Sequence, residues 1–143
     1  MKKAIVYVML AAVAMVAVSC CPCRKGVSRN DKPFAGTKWT LVQLNGASFA
    51  AKDNFYLTFD AAETMVSGKG DCNSLNGKYT MAASDNKLSF GMLVSTRMFC
   101  QQQDKEDQFM QMLGKVDSYD VDGDLLLLLA GSEVVAVLQA QGK

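Results

Sequence analysis

The stretch Gly68-Lys-Gly-Asp-Cys-Asn-Ser-Leu-Asn-Gly-Lys-Tyr79 decides how this chain is laid out. It sets three glycines, two asparagines and a cysteine between two strand-like runs. Gly and Asn tolerate positive φ, and Asn can bond its own backbone, so this is turn chemistry. Within it, Asn73-Ser-Leu-Asn76 is read as a single helical turn. Farther along, Thr96-Arg-Met-Phe-Cys100 puts a second cysteine just ahead of the one clear helical pattern. The two pieces are expected to touch. Gly70, Asn73, Gly77, Tyr79 and Thr96 would then shape the turn or line a ligand groove beside it.

Working outward, the flanks read as short strands. Thr37–Leu44 alternates, with Trp39 and Leu41 on one face, and Asn45-Gly46 is a turn signal. Phe55, Leu57 and Phe59 share a face, and Thr64–Gly68 returns as the second arm of a hairpin. Gly77–Ala82 and Lys87–Phe90 suggest another hairpin, and Met92–Cys100 is a strand or an extended loop. The period then changes. Gln101–Lys115 lacks β-branched residues until Val116, and Phe109, Met110 and Leu113 fall at helical spacing with Asp104 as N-cap. Val116–Val121, the leucine run 125–129 and Glu133–Leu138 resume strand character, with Gly123 and Gly131 at the turns. The leucine run is read as a buried strand on account of its length and flanking turns. The expectation is an α+β domain: a curved, open-barrel-like antiparallel sheet of about eight short strands, packed with one main helix at about 103–114.

The chain has 143 residues, enough for one domain of ordinary size. Residues 1–19 read as a signal peptide, with Lys2 and Lys3 ahead of an apolar core too short for a membrane span. Ala17-Val-Ser-Cys20 resembles the lipobox of bacterial lipoproteins, with Ala17 where Leu is usual. That resemblance implies lipidation of Cys20, a membrane anchor, and residence in the cell envelope facing the periplasm, at the outer membrane of a Gram-negative cell. Ordinary secretion with cleavage near Ser19 is the alternative. Residues 20–35 read as a flexible tether and 36–140 as the domain. The whole chain carries 15 Lys+Arg and 14 Asp+Glu; without Lys2 and Lys3 the balance is 13 against 14, or −1. A near-neutral chain without a basic aromatic patch argues against nucleic acid as a partner. Beyond an export signal disulfides are permitted, and Cys72 with Cys100 is the natural pair, which would contribute about 3–4 kcal/mol. Two buried free thiols are the alternative at this stage.

Trp39-Thr-Leu, Phe55-Tyr-Leu-Thr-Phe59, Gly70-Asp-Cys-Asn73 with Gly77-Lys-Tyr79, Thr96-Arg-Met-Phe-Cys100, Glu106-Asp-Gln-Phe109 and Gly123-Asp-Leu-Leu-Leu127 follow one another in an order that resembles the META, or HslJ-like, domain over roughly residues 36–140. Asp71 stands where that family commonly has Gly. The resemblance implies a small α+β domain of bacterial envelope proteins, loosely tied to stress responses, with no established catalytic activity and no cofactor. The absence of histidine from the sequence independently excludes Ser-His-Asp and Cys-His catalytic sets within one chain, and any His-ligated zinc. Asp120-Val-Asp-Gly-Asp124 lacks the spacing and late Glu of a calcium loop and reads as a solvated turn. The expected function is a non-enzymatic envelope lipoprotein, a binding or stress-response module with an envelope protein or small ligand as partner. The alternatives are a thiol–disulfide redox protein using Cys72 and Cys100, and a structural protective factor. Sequence leaves the oligomeric state open.

Overall fold

A computed structural model describes residues 30–50 and 54–142. The segment expected to be a signal peptide, Cys20, expected to carry lipid, and Cys21 and Cys23 lie outside the described residues. The elements are β1 (Lys38–Leu44), β2 (Ala47–Ser48), β3 (Tyr56–Asp60), β4 (Met65–Gly70), β5 (Asn73–Ala82), β6 (Lys87–Ser95), α1 (Gln103–Leu113), β7 (Ser118–Asp122), β8 (Leu125–Ala130) and β9 (Glu133–Ala140). The fold is α+β, as expected, with nine strands among the described residues rather than about eight. The extra one is β2, folded back on β1 by Asn45 and Gly46, which take φ of 49° and 78°. Positive φ at both central residues suits a two-residue turn to the twist of the strands it joins.

All nine strands belong to one antiparallel sheet, ordered β2-β1-β3-β4-β5-β6-β7-β8-β9, with β9 pairing back onto β1. The sheet therefore curls into a ring, but not into an evenly laced barrel. β6 and β7 meet only at Lys87 and Ser118, whereas β5 and β6 pair along most of their length. From Ser89 onward the outer edge of β6 carries no strand among the described residues.

Alternation explains what fills the ring. Side chains of a strand point to opposite faces, so one face of each strand can be apolar and buried. Trp39 and Leu41, Phe55, Leu57 and Phe59, Leu75 and Tyr79, Leu126 and Leu128, and Ala136 and Leu138 all turn inward. The leucine run was expected to be buried throughout. It alternates instead: Leu126 and Leu128 are buried, and Leu125, Leu127 and Leu129 are half-buried on the outer face. The helix closes the core by burying Phe109, Met112 and Leu113, with Phe109 edge-on to Phe55.

Three local expectations are corrected. Asn73–Asn76 is not a helical turn but the start of β5, which pairs with β4 from Asn73 onward. The reversal is confined to Asp71 and Cys72, with Asp71 at φ 52°. A left-handed residue is needed there, and Asp tolerates it better than most non-glycine residues. Asp104 is not the N-cap of α1. The cap position is Gln102, and its N–H donates to Asp71 Oδ2 at 2.9 Å, so the capping carboxylate comes from the β4–β5 turn. Finally, residues 31–35 are not tether. Asp31 Oδ1 accepts from Gly123 N, Lys32 N donates to Gly123 O, and Trp39 Nε1 donates to Phe34 O. The Phe34 ring packs on Phe59 and Tyr119.

Candidate functional site

Cys72 and Cys100 are joined by a disulfide, with Cα atoms 5.7 Å apart. Beside it sits Asn73, only 1% exposed. Its Oδ1 accepts from Met98 N at 2.7 Å and from Thr96 Oγ1 at 2.9 Å. Its Nδ2 shares its two hydrogens among Met98 O at 3.1 Å, Cys100 Sγ at 3.1 Å and Glu106 Oε2 at 2.9 Å. The side-chain amide thus meets both the N–H and the C=O of Met98, as a neighbouring peptide group would. Thr96 Oγ1 also accepts from Ser74 N, and Thr96 N donates to Ser74 O. One amide side chain and one hydroxyl hold the loop 96–100 against the start of β5.

This arrangement accounts for the two motifs that dominate the sequence. Thr96, Met98 and Cys100 are held by side chain or backbone, while Arg97 and Phe99, the residues between them, project outward. Gly70 lets the helix approach: a Cβ there would lie 3.1 Å from Glu106 Cγ. That brings the Glu106 carboxyl, 4% exposed, to Asn73 and to Ser95 Oγ, which donates to Oε1 at a long 3.5 Å.

Of the residues singled out from sequence, Asn73 and Thr96 line a groove, and the others do not. Gly77 sits in mid-strand opposite a bulge in β6, where a Cβ would come 2.6 Å from Leu93 Cδ2 and 2.8 Å from Met92 O. Tyr79 is a core residue, edge-on to Phe59, whose hydroxyl donates to Asp60 O at 3.2 Å. Burial, and then the Asp60 carboxylate, push its phenol above the usual range.

The groove is open, with a volume of about 790 Å³. One wall is the inner side of β6, Leu93–Ser95. The other is a stripe on α1, Gln103, Glu106, Asp107 and Met110, and the loop 96–99 closes one end. The two walls run side by side. The start of α1 is tied to β5 and β6 through Glu106, and the chain leaving its far end returns to β6 where Leu88 N donates to Asp117 O. Among the groove's lining residues Phe99 is 99% exposed, with Val94 and Met98 also exposed, and Met92, 87% exposed, stands next to Leu93 just outside the lining. Sequence reasoning missed this wall of α1, although 103, 106, 107 and 110 fall at helical spacing in a stripe beside the apolar face.

Metal chemistry finds little purchase among the described residues. Asp71, Cys72 and Cys100 bring their ligand atoms within 4.8 Å of one another. The two sulfurs are bonded to each other, however, and the carboxylate already caps α1. The aspartates of 117–124 do not converge. Asp117 accepts from Ser118 Oγ and Gly131 N, and Asp124 from Gln139 Nε2. No helix among the described residues is long and apolar enough to cross a membrane.

Solved structures share this architecture. A protein from Burkholderia xenovorans, solved by NMR, aligns with a TM-score of 0.60 at 23% identity, over 77% of this chain and 85% of that one. A DUF4847 family protein from Bacteroides vulgatus aligns with a TM-score of 0.59 at 17% identity, over 77% of this chain and 95% of that one. At such identities the likeness is one of fold. No curated protein matches the chain. The sequence model of the META domain matches residues 32–142, from the first residues docked on the ring to the end of the sheet, and the chain belongs to the META domain family.

Proposed function

We propose that this protein is a non-enzymatic binding module of the bacterial cell envelope, anchored through lipid on Cys20, and that its contact surface is the groove between β6 and α1. The observation that carries the reading is the exposure of Phe99, Met92, Val94 and Met98 around a groove whose backbone is rigidly held. Apolar side chains clustered in solvent mark interaction sites more often than they occur by chance on a monomer. The loop that carries Met98 and Phe99 is pinned by Asn73 and the disulfide, and Met92 and Val94 are fixed in β6, so none has a ready way to turn into the core.

The anchor fits this placement. The chain enters the domain at Asp31 and Lys32, beside the β7–β8 turn and near Phe34, which meets Tyr79 edge-on. Tyr79 lies six positions along β5 from Asn73, about 20 Å at the rise of a strand. A tether leaving from that end would present the groove away from the membrane.

A photoreactive phenylalanine analogue placed at position 99 tests the reading in intact cells. A discrete crosslinked envelope protein, lost in Met92→Ser, is the expected result; crosslinks to bulk lipid alone would refute it. Labelling with a palmitate analogue in the parent and in Cys20→Ala tests the anchor separately, and unchanged labelling in the variant would remove it.

A further inference from the structure

The free part of β6 has the features of a docking edge. Thr96 N donates to Ser74 O, so Thr96 faces β5. Backbone direction alternates along an antiparallel ladder. Val94 therefore also faces β5, and the N–H and C=O groups of Leu93 and Ser95 point away from it, toward the groove. The edge from Ser89 to Ser95 is unpaired among the described residues, a length of about 23 Å at strand rise. A free strand edge is where peptide-binding modules take an extended segment as an added strand.

Charge selects the occupant. Glu106 is buried and lines the groove, yet among the described residues no lysine or arginine pairs with it. One oxygen is held by Asn73; the other has only the long bond from Ser95. Asp107, exposed on the next position of the stripe, adds a second carboxylate. Arg97, at the loop end, is the one cation lining the groove among the described residues. A second copy of this chain docking edge to edge would set these acidic walls against one another, which disfavours it.

We propose that the groove receives an extended segment of a partner protein, added as a strand to β6 at Leu93 and Ser95, with a lysine or arginine side chain turned to Glu106 and Asp107 and apolar neighbours against Met92, Val94 and Phe99. This deepens, and rests on, the reading of the domain as a binding module.

The test uses the purified full chain and three synthetic octapeptides. The first alternates valine and threonine around two central lysines, the second has glutamates for the lysines, and the third is the lysine peptide N-methylated at alternate residues. The lysine peptide is expected to bind and to slow hydrogen exchange at the Leu93 and Ser95 amides. The glutamate and N-methylated peptides should bind at least about tenfold more weakly, as loss of charge-assisted and main-chain hydrogen bonds predicts. Asp107→Asn, at an exposed position, should lower the lysine-over-glutamate preference with thermal unfolding unchanged, and Glu106→Gln should lower it further. Equal binding of the lysine and glutamate peptides would overturn the proposal, as would binding without slowed exchange at Leu93 and Ser95. Slowing that appears only with rising protein concentration, without peptide, would also overturn it, in favour of self-association. A crosslinked partner at position 99 together with no lysine-peptide binding would leave the binding module standing and remove the strand-addition mode.

Discussion

Replacing Asn73 tests the architecture most directly, because five hydrogen bonds meet on one side chain. Asn73→Ala strands Met98 N–H and C=O, the Thr96 hydroxyl and Glu106 Oε2. Each polar group left unpaired in the interior costs about 1–3 kcal/mol, less where water can enter. Glu106 is fully enclosed at its bond to Asn73, and the Met98 groups are partly so. A net loss of about 3–5 kcal/mol follows, out of the ~5–15 kcal/mol typical of a domain. Asn73→Asp is the sharper probe because its shape is unchanged. It keeps both acceptor bonds but replaces the three donations with a carboxylate oxygen facing Glu106 Oε2, now 2.9 Å away. At an effective dielectric of ~20 that repulsion is about 6 kcal/mol before the pair relieves it by sharing a proton. The isosteric change should therefore harm at least as much as the truncation at neutral pH. A carboxyl at this place has its folded pKa raised above its unfolded value, so the deficit against the parent should shrink as pH falls through that folded value. Urea unfolding with the disulfide intact, followed by fluorescence of the single, fully buried Trp39, measures both variants. If Asn73→Asp stays within about 0.5 kcal/mol of the parent, the range of an ordinary surface change, the network is not what holds the loop.

Replacing Cys72 and Cys100 together by Ser should cost about 3–4 kcal/mol in the same assay, from loop-closure entropy over their separation of 28 residues. Thr40→Val should be neutral or stabilising by about 0.5–1 kcal/mol, because the buried Thr40 hydroxyl has no partner among the described residues and Val keeps the shape. Gly77→Ala should cost about 1–3 kcal/mol, since the new Cβ collides with Leu93 and the Met92 carbonyl and β6 must move. Tyr79→Phe should lose about 1 kcal/mol near neutral pH with its bond to Asp60 O. The raised phenol pKa stabilises the parent fully below the unfolded value and is lost as pH rises through the folded one. The gap between parent and variant should therefore narrow in alkali, which urea midpoints at about pH 8 and about pH 11 would show.

What could be read from sequence was what repeats along the chain. Phe55, Leu57 and Phe59 alternate, and Phe109 and Leu113 keep helical spacing, so a sheet with one helix followed from period alone. The touching of the 68–79 and 96–100 segments was legible because cysteines and turn residues cluster there. The roles of Asp71 and Glu106 were not. Asp71 caps a helix thirty-one positions away, and Glu106 is buried by Gly70 and Asn73, contacts that exist only after the chain folds. Asp104 had the better local claim to the cap and lost it to a carboxylate delivered by tertiary structure. Phe34 was misjudged for a related reason. Its polar, proline-containing surroundings read as tether, while its ring completes an aromatic cluster with Phe59, Tyr79 and Tyr119.

The placement of rigidity also bears on function. A loop that needed only to connect β6 to α1 could expose polar residues and move freely. This one spends a buried amide, a hydroxyl, a disulfide and a carboxyl on fixing its backbone, yet leaves Phe99 almost wholly in water. Local disagreement between strong backbone restraint and unfavourable side-chain exposure is where natural sequences tend to carry function. Prepositioned apolar side chains lose little freedom on association, so the ordering cost is met during folding rather than at binding. The same residues thus hold the groove's end and its acidic wall in place: Asn73 bonds the loop through both ends of its amide and Glu106 through the nitrogen. A change at Asn73 that leaves the domain folded should alter docking at Phe99 and the charge preference at Glu106 together, whereas a change at Asp107 should reach the charge preference alone.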